Sequence, residues 1–82
     1  MAPEIEYKAS VEKDLRRIDR KQAKRILDKI EEVLGNNPSA GEALKGEYKG
    51  MFKLRVGDYR IIYSKTKKGV LILRISHRGD AY

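Results

Sequence analysis

Cysteine is absent from the 82-residue sequence, and histidine occurs once. The first absence excludes a disulfide framework, a thiolate metal site and a cysteine nucleophile. The second excludes a histidine-rich metal centre, so neither a metal nor another cofactor is expected. Long apolar runs are missing too: the longest aliphatic stretch, Val70 to Leu73, is far too short to span a bilayer. The opening "MAPEIEYKAS" is acidic and polar and contains nothing resembling a signal peptide, so a reducing cytoplasm is the expected setting. No repeat and no long linker interrupts the chain, and its length predicts one domain over residues 1–82. A domain this small buries only about 60–65% of the surface its unfolded chain exposes, which leaves little room for an enclosed pocket.

Acidic residues are the scarcer charge. Nineteen Lys and Arg against twelve Asp and Glu leave a net charge of +7. Such an excess draws polyanions, nucleic acid foremost, and speeds encounter with them. Charge alone does not establish specificity, because many small cytoplasmic proteins are basic without binding RNA.

In "PEIEYK", Ile5 and Tyr7 alternate with Glu6 and Lys8, which predicts a short strand. Ser10 is placed to cap a helix in which Val11, Leu15 and Ile18 recur at i, i+4 and i+7. Asp19, with Gln22 three residues on, resembles a capping box for a second helix. That helix carries Ala23, Ile26, Leu27, Ile30, Val33 and Leu34 on one stripe, and Gly35 sits where it should stop. With almost no linker between them, the helices should form an antiparallel hairpin. "AGEALKGEYKG" reads mostly as loop, with Leu44 and Tyr48 packing.

Strand patterns return in "MFKLRV", "YRIIYS" and "VLILRIS". A two-residue turn at Gly57-Asp58 pairs Val56 with Tyr59, Arg55 with Arg60, Leu54 with Ile61 and Lys53 with Ile62. A five-residue loop from Lys65 to Gly69 would pair Ser64 with Val70, Ile62 with Ile72 and Arg60 with Arg74, and is preferred to a four-residue loop, which would mix Arg74 with Tyr59. An error of one residue inverts every side chain, so the register can be checked by its faces. Under this register Phe52, Leu54, Val56, Tyr59, Ile61, Tyr63, Leu71, Leu73 and Ile75 share a face, which seats the helices. The predicted fold is α+β, in the order β-α-α-β-β-β, with the helical hairpin on one face of a small antiparallel sheet.

The other face then carries Lys53, Arg55, Arg60 and Arg74, followed by Ser76 and Arg78. Opposed like charges on neighbouring strands cost up to about 1 kcal/mol each. Nearby carboxylates such as Asp58 or Asp80 could neutralise any one of these cations. Their convergence on a single concave face is better explained by a bound polyanion. Arginine dominates the set, and its guanidinium fork suits phosphate oxygens.

These segments, "GMFKLRVGDYRIIYS" followed by "VLILRISHRGDAY" after two helices, resemble the RelE/ParE toxin superfamily over nearly the whole chain. The resemblance implies the toxin component of a type II toxin–antitoxin system. RelE-like members are ribosome-dependent endoribonucleases that cleave mRNA in the decoding site, and an antitoxin holds them inactive. ParE-like members use the same scaffold to poison DNA gyrase. Lys53 matches a basic residue of RelE-type enzymes, Arg60 their arginine after the central tyrosine, Arg78 their late arginine and Tyr82 their C-terminal tyrosine. Some RelE enzymes have a further lysine two positions before Lys53, where this chain has Met51. The near-complete basic and tyrosine set favours the RelE branch, with mRNA on the ribosome, ribosomal RNA and a RelB-like antitoxin as the implied partners.

Cleavage through the RNA 2′-OH requires removal of that proton, stabilisation of charge on five-coordinate phosphorus, and protonation of the departing 5′ oxygen. The resemblance assigns Arg60 and Arg78 to the developing charge. Arg55 and Arg74 hold the RNA backbone, while Tyr82 stacks on a base or orients the 2′-OH. Lys53 is the candidate base, since neighbouring cations favour its neutral amine. His77 is its rival as general acid or base, although strict alternation puts it on the helix-packed face. A gyrase inhibitor and a catalytically silent basic binding module are the alternative readings. The remaining helical charges read as a solvated face that could also grip ribosomal RNA.

Overall fold

The computed structural model describes residues 3–77. Arg78, Asp80 and Tyr82 therefore lie outside the described residues. β1 (Glu4–Tyr7) leads through Lys8 into α1 (Ala9–Arg16), and α2 (Arg20–Asn36) follows after residues 17–19. A two-residue strand, β2 (Glu42–Ala43), and a 3₁₀ turn (Gly46–Tyr48) precede β3 (Met51–Val56), β4 (Tyr59–Lys65) and β5 (Gly69–His77). The region read as mostly loop thus contributes an edge strand, and Tyr48 stays 41% exposed.

The helical hairpin covers one face of the sheet, as its apolar stripes predict. Val11 of α1 and Ile26, Ile30 and Leu34 of α2 are fully buried against Ile61, Tyr63, Val70, Ile72 and Ile75. Each such aliphatic side chain contributes about 1.5–3 kcal/mol when removed from water. The helix ends differ from expectation. Lys8, not Ser10, occupies the N-cap of α1, and the Ser10 hydroxyl instead donates to the Leu73 carbonyl at 3.3 Å. Asp19 does cap α2, accepting from the Lys21 N–H at 3.1 Å. Gly35 lies inside the last turn of α2, which runs on to Asn36.

The antiparallel core of the sheet is extended at both edges, giving the order β1-β5-β4-β3-β2. β2 adds antiparallel to β3, and β1 pairs parallel with β5, so the sheet is mixed. The parallel pair brings Glu4 opposite Gly69, where a Cβ would collide with the Glu4 backbone. Only glycine allows β1 to lie this close.

The first hairpin has the expected register throughout, from Met51 opposite Ser64 to Val56 opposite Tyr59. Gly57 takes the left-handed conformation at φ 58°, which suits the first turn position without steric cost. The second hairpin corrects the expectation. Thr66 N–H donates to the Gly69 carbonyl at 2.8 Å, and the Gly69 N–H returns a bond to the Thr66 hydroxyl at 3.0 Å. This tight turn pairs Lys65 with Val70 and Tyr63 with Ile72. Val70 and Ile72 therefore enter the core, while Leu71 and Leu73 are only half-buried. A register shift at Ile62/Tyr63 then skips Leu73, so that Ile62 faces Arg74 and Ile61 faces Ile75. The irregularity inserts one extra residue and restores the predicted faces beyond it. Strict alternation, which assumed a five-residue loop, had no place for it.

Candidate functional site

Past that shift, alternation again sorts the side chains, and the four expected cations fall on the face away from the helices. Arg55, Arg60 and Ser76 form one cross-strand row; Lys53, Ile62 and Arg74 form the next. Opposed side chains in such rows stand roughly 4.5–5.5 Å apart at Cβ. Arg60 thus faces Ser76 rather than Arg74, and Ile62 separates Lys53 from Arg74. Arg55 and Arg74 are exposed, whereas Lys53 and Arg60 are half-buried. Ile62 is only 7% exposed, so the cations surround an apolar floor.

Beyond the Lys53–Ile62–Arg74 row the face becomes apolar. Leu44, Tyr48, Met51, Ile62 and Leu73 line a groove of about 350 Å³ with Lys8 and Arg74 at its rim. Met51, which stands where some relatives have lysine, belongs to this apolar end.

Lys53 is not surrounded by cations alone. Glu42 of β2 lies opposite it, with a carboxylate oxygen 3.7 Å from Nζ. This pairing places a carboxylate on the basic face. Sequence reasoning missed Glu42, because nothing in "AGEALKGEYKG" marks a two-residue strand. β2 is positioned from the core: the buried Tyr63 hydroxyl accepts from Gly41 N–H at 2.8 Å and donates to the Pro38 carbonyl at 3.0 Å. Tyr63 also stacks on Phe52, with ring centroids 5.4 Å apart. Burial pushes the Tyr63 phenol pKa up, and the Gly41 hydrogen bond partly opposes the shift. Tyr7 is raised as well, by burial and then by the charge of Glu31.

His77 pairs with Tyr59 across the strands, on the side of the sheet that alternation assigns it, and it is exposed. Their rings meet edge to face with centroids 5.2 Å apart. Arg78 and Tyr82 lie outside the described residues. Among the described residues, no group of three or more His, Asp and Glu is placed to hold a metal ion. No described helix is long and apolar enough to cross a membrane.

The family profile described as "ParE toxin of type II toxin-antitoxin system, parDE" matches residues 5–82. The chain belongs to this toxin family. Among solved structures, the toxin is similar to a chain of the RelBE2 toxin–antitoxin complex of Mycobacterium tuberculosis. The TM-score is 0.88 at 25% identity, covering 95% of this chain and 100% of that one. It is also similar to a chain of the archaeal RelE–RelB complex of Pyrococcus horikoshii, with TM-score 0.74, 28% identity and coverage of 99% and 100%. The isolated Escherichia coli RelE toxin shares the fold at TM-score 0.75 and 19% identity, over 98% of this chain and 88% of that one. No curated protein matches the sequence. The RelE/ParE scaffold and a place in a type II toxin–antitoxin system are thereby established, as the sequence motifs imply.

Proposed function

We propose that the toxin is a RelE-type, ribosome-dependent and metal-independent endoribonuclease that cuts mRNA in the decoding site. The observation that carries this reading is the convergence of Lys53, Arg55, Arg60 and Arg74 on the sheet face away from the helices. Arg55 and Arg60, opposed on neighbouring strands, repel at a cost of up to about 1 kcal/mol, which a bound polyanion offsets. In the reaction, the 2′ oxygen bonds to phosphorus as its proton passes to a base, and the P–O5′ bond breaks as the 5′ oxygen gains a proton. The products are a 2′,3′-cyclic phosphate and a 5′-hydroxyl end. Arg60, fixed at the centre of the face, stabilises charge on the phosphoryl oxygens together with Arg78. Arg55 and Arg74 hold the flanking backbone, and Tyr82 orients or stacks on the substrate. Lys53 and His77 remain the proton-transfer residues of this reading, joined by Glu42, whose carboxylate stands beside Lys53.

A domain this small has little room for an enclosed pocket, and such an enzyme borrows substrate positioning from ribosomal RNA. A RelB-like antitoxin is the regulatory partner, and an acidic one complements the +7 charge. The toxin acts in the cytoplasm, where translating ribosomes are. Primer extension on an mRNA translated in vitro tests the proposal. Cuts confined to ribosome-bound message, and lost in Arg60→Ala, support it; no cuts on either form refute it. The ParE description of the matching family favours a second reading, gyrase inhibition. That reading predicts loss of supercoiling activity without RNA cuts. A silent binding module predicts tight antitoxin binding with neither effect.

A further inference from the structure

A cleft separate from the centre of the basic face opens where β5 outruns β1. The parallel pairing ends at Tyr7 opposite Ile72, so among the described residues no strand flanks residues 73–77 of β5 on that side. α1 takes over the edge. Ser10 donates to the Leu73 carbonyl at 3.3 Å, and the Asp14 carboxylate accepts the Ile75 N–H at 3.1 Å. Between the end of α1 and the end of β5 lies a cleft of about 330 Å³. That volume is at the lower end for ligand sites, the size for one nucleotide rather than several.

Its walls have the chemistry of a nucleotide site. Arg17, exposed at the end of α1, and Arg74 supply cations from two different elements. The edge-to-face pair of Tyr59 and His77 supplies an aromatic surface. Ser76 lines the same cleft with 5% of its surface exposed, and its buried hydroxyl has no hydrogen-bond partner among the described residues. Asp14, the one carboxylate among the described lining residues, accepts the Ile75 N–H.

We infer that this cleft binds one nucleotide of single-stranded RNA adjoining the scissile step. A phosphate lies between Arg17 and Arg74, and a base rests against Tyr59 and His77. The inference rests on the proposed RNA substrate and deepens it: Arg74 stands on both the open face and the cleft rim, so the strand passes from one to the other around β5. Arg17 is thereby a positioning residue contributed by the helices.

The test uses the full chain and short single-stranded oligonucleotides with 2′-O-methyl riboses, which bind without being cut. Arg17→Ala should weaken binding about tenfold, the value of one charge-assisted phosphate contact. It should also lower the slope of log affinity against log salt by roughly 0.7, as expected for one phosphate contact on a single strand. Arg25→Ala, which removes the same charge from α2 outside the cleft, should change neither by more than a fraction of this. Ring resonances of Tyr59 and His77 should shift when the wild-type protein binds. Equal effects of the two substitutions, unshifted rings, or no binding by the wild-type chain would each overturn the inference. Primer extension separates this outcome from the proposed function: ribosome-dependent cuts with an inert cleft leave the nuclease reading intact. Arg17-dependent binding without cuts leaves the cleft as a nucleic-acid site and removes the nuclease.

Discussion

Tyr63→Phe is the perturbation that best connects the core with the candidate site. The change removes one oxygen from a ring that is fully buried. Two loop groups lose their partner: the Gly41 N–H, now bonded at 2.8 Å, and the Pro38 carbonyl, bonded at 3.0 Å. Each bond contributes about 0.5–1.5 kcal/mol net, and both loop groups are close enough to the surface for water to recover part of that loss. A destabilisation of roughly 1–3 kcal/mol follows, which lowers Tm by about 4–8 °C per kcal/mol in a domain of this size. Gly41 immediately precedes β2, so the loosened loop should also free Glu42 from Lys53. Thermal melts followed by circular dichroism, with amide exchange at Gly41, measure the two effects. The pH dependence supplies an independent arm. A phenol raised by burial keeps its proton in the folded state after the unfolded chain has begun to lose it. Stability is therefore complete below about pH 10 and falls as pH rises beyond it. Tyr63→Phe should shrink this alkaline loss without abolishing it, because Tyr7 is raised too. A Tm within 2 °C of wild type, as an order-of-magnitude threshold, together with an unchanged alkaline limb, would refute this account of how the loop is held.

Substitutions at three other positions test the remaining joints of the fold. Gly69→Ala forces a methyl group against the Glu4 backbone and should cost about 1–3 kcal/mol, with faster amide exchange at Glu4 and Lys8 as β1 separates from β5. Unchanged exchange would show that β1 is not held by this close approach. Tyr7→Phe should raise Tm by a few degrees, since it removes a buried hydroxyl that has no hydrogen-bond partner among the described residues; a lower Tm would mean the hydroxyl is satisfied. Asp14→Ala should cost about 1–2 kcal/mol by stranding the Ile75 N–H, and Asp14→Asn, which keeps an acceptor oxygen, should recover most of it in the same melts.

The first hairpin was legible in the sequence because its turn and its alternation agree. Gly57-Asp58 fixes the loop at two residues, and any slip would put Ile61 and Tyr63 into water. The second hairpin was not legible, because two arrangements satisfy most of its pattern. In "VLILRIS" consecutive aliphatics make every position a plausible core residue. The choice between Val70/Ile72 and Leu71/Leu73 falls to a hydroxyl, that of Thr66, and to the extra residue at Leu73. Neither leaves a periodic signal. The parallel pairing of β1 was hidden for a different reason: its partner lies more than sixty residues away, and only the bare backbone of Gly69 hints at a close neighbour.

The candidate site divides along the same line. Lys53, Arg55, Arg60 and Arg74 could be placed because each sits on a strand whose face was decided by apolar neighbours. The register error left Arg74 on its predicted face only because the skipped residue lies before it. Glu42 and Arg17 could not be found this way, since one sits on a two-residue edge strand and the other at a helix end. Both reach the site through tertiary contacts: Glu42 through pairing of β2 with β3, Arg17 through the docking of α1 along the uncovered end of β5. Alternation along strands therefore reveals the cations that form the floor of the basic face. The groups at its margins, Glu42 beside Lys53 and Arg17 beside the cleft, depend on how the edges of the sheet are closed.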